Sequence, residues 1–228
     1  MQIIKDIVII YTEYNKKVVF YMNQFVITIA RTCGSGGSYV AEALEKKLGI
    51  KLYGQDILQL ASEDSGISID LFARTDEELK SNPLFRFTKY IYDGKLIPPS
   101  SSDFTSQENL FNYQAKVLKN LAEKESYVVI GRCADFVLKD TKNIVRVFIT
   151  ADRKDRINTE SERLTISKKE AENRIDKVDK KRTNHYNYFT GNERDDMTNY
   201  DICLNTSRLD YDKCADIIIE YMKAKAIL

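Results

Sequence analysis

Short apolar stretches rich in β-branched and aromatic residues recur along this chain at 25–30, 51–53, 127–130, 144–150 and 200–204. They predict five strands. Three are almost continuously apolar, the pattern of parallel strands covered on both faces. Between them the period lengthens to that of a helix. Residues 38–48 place Val40, Ala41, Leu44 and Leu48 on one face, and Gly49 stops the run. Residues 155–164 and 167–189 are highly charged, the second with a stripe of Ala171, Ile175, Val178 and Arg182, and 211–226 closes the chain as a helix. This alternation predicts an α/β fold with a parallel sheet. Residues 54–125 interrupt it. They hold no convincing strand and read as several helices around a loop, "KLIPPSSSDFTSQ". That is too long for a simple crossover and predicts a helical insertion between the second and third strands.

The first 24 residues stand apart from this pattern. They predict an extra edge strand or hairpin. Their longest apolar run, at 7–11, is too short to span a bilayer, and no signal-peptide features accompany it. Met22, three residues before the first strong strand, is a second candidate start. The domain expectation is therefore an extension at 1–24 and one domain at 25–228, with an insertion at 54–125 and lid-like helices at 153–190.

Composition narrows the function classes. The chain has 228 residues, 43% hydrophobic, enough for one sizeable core. Charged residues make up 30%, yet the formal net charge is +1, which gives no general attraction to nucleic acid or to a membrane surface. The four cysteines, Cys33, Cys133, Cys203 and Cys214, form no C-x-x-C pair, and the single histidine, His185, completes no zinc set with them. A reduced, cytoplasmic protein is the expectation.

The most informative stretch is "ITIARTCGSGGSYVAEAL", residues 27–44. A strand enters a glycine-rich turn and a helix leaves it. Small residues let an anion approach backbone N–H groups at a helix N-terminus, so Gly34, Ser35, Gly36, Gly37 and Ser38 form a candidate phosphate cradle. Against the pattern G-x-x-x-x-G-K-[ST], Arg31 stands for the first glycine, Gly36 for the second, Gly37 for the lysine and Ser38 for the hydroxyl. Arg31 is the nearby substitute for the missing positive charge.

With this turn, the ordered segments "VVIGRCADFVL", "VRVFIT", "IDKVDKKRTNHYNYFTG" and "YDICLNTSRL" resemble the cytidylate-kinase-like family, a divergent branch of the P-loop nucleoside monophosphate kinases, over about residues 25–225. The resemblance implies a P-loop NTPase-like three-layer fold with a five-stranded parallel sheet, a helical acceptor-binding insertion and an arginine-rich lid. It implies ATP and Mg2+ as cofactors, a small nucleotide as partner, and phosphoryl transfer to an acceptor such as CMP. By the same resemblance Arg132 of "GRC" holds the acceptor phosphate and Asp56 lies in the acceptor site. Arg31, Arg132 and Arg182 then form the catalytic set. Ser38 is the metal candidate, and Thr206 and Ser207 approach the adenine. Three positions depart from the family pattern. Gly37 replaces the lysine, Ile130 the carboxylate before "GR", and Ile175 the first lid arginine. Each lost group would neutralise charge on phosphate or magnesium. Two functions stay open: an ATP-dependent phosphotransferase, or a nucleotide- or anion-binding regulatory protein without transferase activity.

Further residues carry two readings each. Arg156 and Arg163, seven apart, share a helix face, as nearly do Arg174 and Arg182; they are phosphate contacts or members of a solvated charged surface. Arg163 is counted among the nucleotide-binding candidates. Asp56 orients an acceptor or caps the following helix. Asp135 supports a metal or is plain surface, Tyr53 stacks on a base or packs the sheet edge, and Thr206 and Ser207 approach the adenine or cap the last turn. His185 sits among aromatics with no serine or cysteine partner to place beside it, and reads as packing or surface rather than a catalytic base. Cys33 and Cys133 both follow strands, so they lie close together if those strands are neighbours, and each reads as a small buried residue.

Overall fold

The computed structural model describes residues 24–78 and 92–228, together with three short strands before them. Those strands, β1 (Ile3–Ile4), β2 (Ile7–Tyr11) and β3 (Lys17–Tyr21), pair antiparallel in a sheet of their own rather than extending the main one. The main sheet consists of β4 (Val26–Arg31), β5 (Lys51–Tyr53), β6 (Tyr127–Ile130), β7 (Ile144–Thr150) and β8 (Ile202–Asn205), all parallel, in the order β5-β6-β4-β7-β8. The first strand of this sheet is thus central, with strands joined by crossovers on either side. Ligands bind such sheets at the carboxyl ends, where the order reverses.

Strand alternation feeds two cores. In β6, Val128 packs with Ile27, Ile29, Val145, Val147 and Ile149 beneath α1 (Gly37–Leu48) and α8 (Tyr211–Ala224). Tyr127 and Val129 point to the opposite face, with α2 (Asp56–Ser65), α4 (Gln107–Ala122) and the end of α7 (Lys168–Thr190). Sheet residues fully covered on both faces make a three-layer sandwich, the P-loop NTPase-like α/β fold. A single buried Ile→Ala change in such a core costs about 2–5 kcal/mol.

The insertion between β5 and β6 is helical where described: α2, α3 (Ile69–Glu78) and α4. Residues 79–91 lie outside the described residues. The serine- and proline-rich loop is held by Asn109, fully buried in α4. Its side chain accepts from the Ile97 N–H at 2.8 Å and donates to the Phe104 carbonyl at 2.7 Å. Two elements depart from the sequence reading. A four-residue helix, α5 (Ala134–Val137), follows β6, and α7 runs one residue past its expected end before Gly191 terminates it in the left-handed conformation. The lid helices α6 (Arg153–Leu164) and α7 form an antiparallel pair joined by a capping box at Ser167 and Glu170. None of the described helices is long and apolar enough to cross a membrane.

Candidate functional site

The glycine turn links the central strand to α1. Gly34 and Gly36 both adopt positive φ, 76° and 72°, which few other residues sustain. Their neighbours leave no space either: a Cβ at Gly36 would enter the ring of Tyr211, and one at Gly34 would meet the Arg156 carbonyl. Gly37 is required for a different reason. A Cβ there would stand 2.7 Å from Cβ and 3.0 Å from Cγ of Arg31. The position that would carry a lysine is therefore packed against the stem of Arg31. The same arginine extends across the cleft, so that a Cβ on Gly131 would lie 2.7 Å from its Nη1. Arg31 thus spans from the phosphate loop to the turn after β6.

The loop departs from the expected cradle at its start. The N–H of Ser35 turns inward to the Thr32 carbonyl at 3.4 Å, where the Ser35 hydroxyl also donates at 2.9 Å. Ser35 braces the inside of the turn, through its hydroxyl and a longer contact from its amide. The Cys33 N–H donates at 2.7 Å to Asp179 of the lid. The amides that head α1, from Gly36 through Ser38, have no acceptor among the described residues, and they are the groups a bound anion would meet. Thr206 donates to the Ser35 carbonyl at 2.8 Å, and Ser207 accepts from the Asp152 N–H at 2.8 Å. Both brace the turns around the loop, the capping role, and neither contact leaves them directed at a base.

Two cavities adjoin. One, of about 360 Å³, is lined by Arg31, the loop residues Thr32 to Gly34 and Gly36 to Ser38, Glu160, Arg163, Arg174 and Arg182. The other, of about 510 Å³, is lined by Arg31, Gln55, Arg132, Cys133, Asp135, Arg174, Lys181, Arg182, His185 and Arg194. Arg31, Arg174, Val178 and Arg182 belong to both, so they stand at the junction. Burial and the guanidinium groups of Arg182, Arg132 and Arg194 push Arg31 down to about 9. Burial likewise lowers Arg182. Arg182 donates to the Arg31 carbonyl at 3.2 Å, and Arg194 donates to the same oxygen. Arg194, 5% exposed, was not legible beforehand, since the short loop after α7 follows no motif. Its only sequence signal is a cation three residues after the lid's terminating glycine.

Several predicted residues take other positions. Asp56 stands exposed in the first turn of α2 and does not line the second cavity; Gly54 and Gln55 do. Nor does it cap the helix, whose N-cap is Gln55. Arg163 lines the loop cavity but its guanidinium is engaged by Glu160 at 2.8 Å, and Arg174 donates to the same carboxylate at 3.0 Å. Burial raises the Glu160 carboxyl, but these two arginines outweigh that and hold it below the usual range. Asp135 is not surface. It is 5% exposed, accepts from the Tyr186 hydroxyl at 2.6 Å, and burial pushes it upward. His185 does have a cysteine neighbour: Cys133 Sγ lies 3.6 Å from Nδ1. Tyr53 packs as expected, edge-on to Tyr127, with its hydroxyl bonded to Glu125. Cys33 and Cys133 follow adjacent strands and both are buried, and burial pushes the Cys33 thiol up to about 11.

A metal site is sparsely provided. Among the described residues no group of three metal-ligating side chains exists. Ser38 offers a hydroxyl at the head of α1, Ile130 replaces a carboxylate at the end of β6, and Glu160 is committed to two arginines. These residues do not fit a protein-held magnesium ion, which ordinarily takes one or two carboxylates beside the substrate phosphates.

Comparison with known proteins agrees with this layout. The model of the cytidylate kinase-like family matches residues 26–208. A cytidylate kinase of Archaeoglobus fulgidus is 27% identical over 207 residues, covering 88% of this chain and 96% of its own. The crystal structure of an uncharacterized protein from Eubacterium ventriosum superposes with a TM-score of 0.64 at 28% identity, covering 88% of this chain and 99% of that one.

Proposed function

The chain belongs to the cytidylate kinase-like family, and from that premise we propose that it transfers a phosphoryl group from ATP to a small acceptor, a nucleoside monophosphate such as CMP. The observation that carries the reading is the junction of the two cavities at Arg31, Arg174 and Arg182. Phosphoryl transfer needs donor and acceptor held in line and their charge neutralised. The amides from Gly36 to Ser38 hold the donor phosphates, and Arg132 with Arg194 holds the acceptor phosphate. Arg31 supplies from the β4 side the cation that lysine supplies elsewhere, and Arg182 adds a second from the lid. A guanidinium suits this position because it binds two phosphate oxygens at once. Magnesium, when present, would arrive on the nucleotide. The domain at 25–228 carries both sites, with the acceptor side bounded by the 54–125 insertion and the lid at 153–190.

The missing lysine and carboxylate favour one second reading, a nucleotide- or anion-binding regulator without transfer. Incubation with ATP, Mg2+ and a panel of nucleoside monophosphates separates the two. CMP should yield a diphosphate. Arg132→Ala should weaken CMP binding by about 1.5–3 kcal/mol, the value of a hydrogen bond to a charged group. Nucleotide binding without any phosphorylated product would leave the regulator reading in its place.

A further inference from the structure

The acceptor cavity contains a pair of side chains that phosphoryl transfer does not use. Cys133 Sγ and His185 Nδ1 lie 3.6 Å apart, and both line the cavity. The two residues are 52 apart in sequence and come from different elements, the turn after β6 and the lid helix α7. Each is held in place. The His185 ring lies 4.8 Å from that of Phe189 and 6.3 Å from that of Phe111, which fixes its plane. Cys133 closes a run of three residues at positive φ: Gly131 at 71°, Arg132 at 61° and Cys133 at 51°. Two of these are not glycine. Such strain persists where the surrounding structure over-determines it, and it concentrates at functional sites. Arg132, Lys181 and Arg194 line the same cavity and favour an anion there. The acidic groups facing it are Asp135, which burial pushes upward toward its neutral form, and the phenol of Tyr186, which donates to Asp135. Cys33 lacks such a base; its amide and carbonyl are engaged by Asp179 and Arg156, and its thiol is pushed up to about 11.

We infer that Cys133 is a reactive thiol, with His185 as its proton acceptor, and that oxidation by hydroperoxides at this position closes the acceptor cavity. The reaction balances without a cofactor. The thiol proton passes to Nδ1. Sγ attacks one peroxide oxygen, so an S–O bond forms and the O–O bond breaks. The departing oxygen takes the proton from the imidazolium and leaves as water. Sulfur is oxidised by two electrons to a sulfenic acid and the peroxide is reduced. The new oxygen stands beside Arg132, where it competes with an acceptor phosphate. Two equivalents of a small-molecule thiol restore the cysteine: the first condenses with the sulfenic acid to a mixed disulfide and releases water, and the second displaces Cys133 and leaves as the small-molecule disulfide. The reactivity of the pair stands on its own geometry; the consequence for binding rests on the acceptor reading above.

The test uses the intact protein. Iodoacetamide labelling followed by peptide mass spectrometry should modify Cys133 faster than Cys203, although Cys203 is exposed and Cys133 is buried. His185→Gln should slow labelling of Cys133 by roughly 100-fold, the lower range for a positioned base, and leave Cys203 unchanged. Hydrogen peroxide should give a dimedone-trapped adduct at Cys133 and abolish thermal stabilisation by CMP, and dithiothreitol should restore it. Cys133→Ala should keep its CMP stabilisation in peroxide. Labelling of Cys133 no faster than of Cys203, or indifferent to His185→Gln, overturns the inference. If Cys133 reacts rapidly through His185 while CMP neither protects it nor stabilises the protein, the thiol pair stands and the acceptor reading falls.

Discussion

Arg31 and Gly37 are best understood together. The glycine has no side chain because the arginine stem fills the space, with Cβ–Cβ contact at 2.7 Å were alanine placed there. Gly37→Ala should therefore act as an indirect Arg31 variant. Both it and Arg31→Ala are expected to lower the rate of transfer on the order of 10³-fold, the scale for removing a transition-state cation. ATP affinity should fall much less, because the amides of α1 remain. Single-turnover rates beside calorimetric ATP binding distinguish the effects; a Gly37→Ala enzyme with full activity would show that Arg31 is not positioned by that packing. Asp135 gives a second residue-scale prediction. Its carboxyl is raised by burial, so the folded protein holds the proton to higher pH than the unfolded chain does. Stability should then decline as pH rises above the ordinary aspartate value of about 3.9 toward the folded one. Asp135→Asn keeps a neutral acceptor for Tyr186 and removes the ionisable group. Its melting temperature should gain on the parent's as pH rises through that window, and a constant difference would refute the assignment. The glycines and Arg31 were readable in the sequence because they are contiguous. The Cys133–His185 and Asp135–Tyr186 pairs were not, because their members are 52 and 51 residues apart and meet only when the end of α7 packs against the segment after β6.

At the scale of elements, apolar period placed every strand of the main sheet and helices α1, α6, α7 and α8 within a few residues. Continuous burial of β4, β6 and β7 produces that signal. Helix α5 escaped because four residues are too few to show a period. The charged lid was legible as helix but its contacts were not. The lid reads as a solvated surface, yet Asp179 accepts from the Cys33 amide at 2.7 Å and pairs with Arg156, which in turn donates to the Cys33 carbonyl at 2.7 Å. Arg153 adds contacts to Glu172 and Asp176 between the two lid helices. The lid is thus latched on the phosphate loop by a carboxylate held beside the anion cradle. Asp179→Asn should open this latch. Amides of α6 and α7 should exchange faster without ligand, and ATP should bind more tightly by about 1 kcal/mol, a typical upper value for one partly exposed charge interaction. Exchange no faster than in the parent would mean that helix packing, not Asp179, holds the lid.

Across the whole molecule, a net charge of +1 hides a strong separation. Among the described residues, the larger of the two adjoining cavities is lined by Arg31, Arg132, Arg174, Lys181, Arg182 and Arg194, against the single carboxyl of Asp135, which burial pushes upward. Composition alone could not reveal this, since it does not show that, among the described residues, Glu160 meets only Arg174 of this set and Asp179 only Arg182. Burying these cations costs free energy, and Arg31 and Arg182 are lowered by burial first and then by the neighbouring guanidinium groups, three of them for Arg31 and that of Arg194 for Arg182. An anionic ligand would relieve it, so binding should stabilise the fold, and the effect should depend on ligand charge. At a hundred times its dissociation constant a ligand adds about 2.7 kcal/mol. CMP should therefore raise the melting temperature clearly, and cytidine, with the same base and no phosphate, should barely move it. Part of the CMP effect should disappear as salt rises from about 0.01 M to 1 M and the screening length falls from roughly 30 Å to 3 Å. Cytidine stabilising the protein as strongly as CMP, with no response to salt, would mean that the cationic cavity does not select its ligand through phosphate.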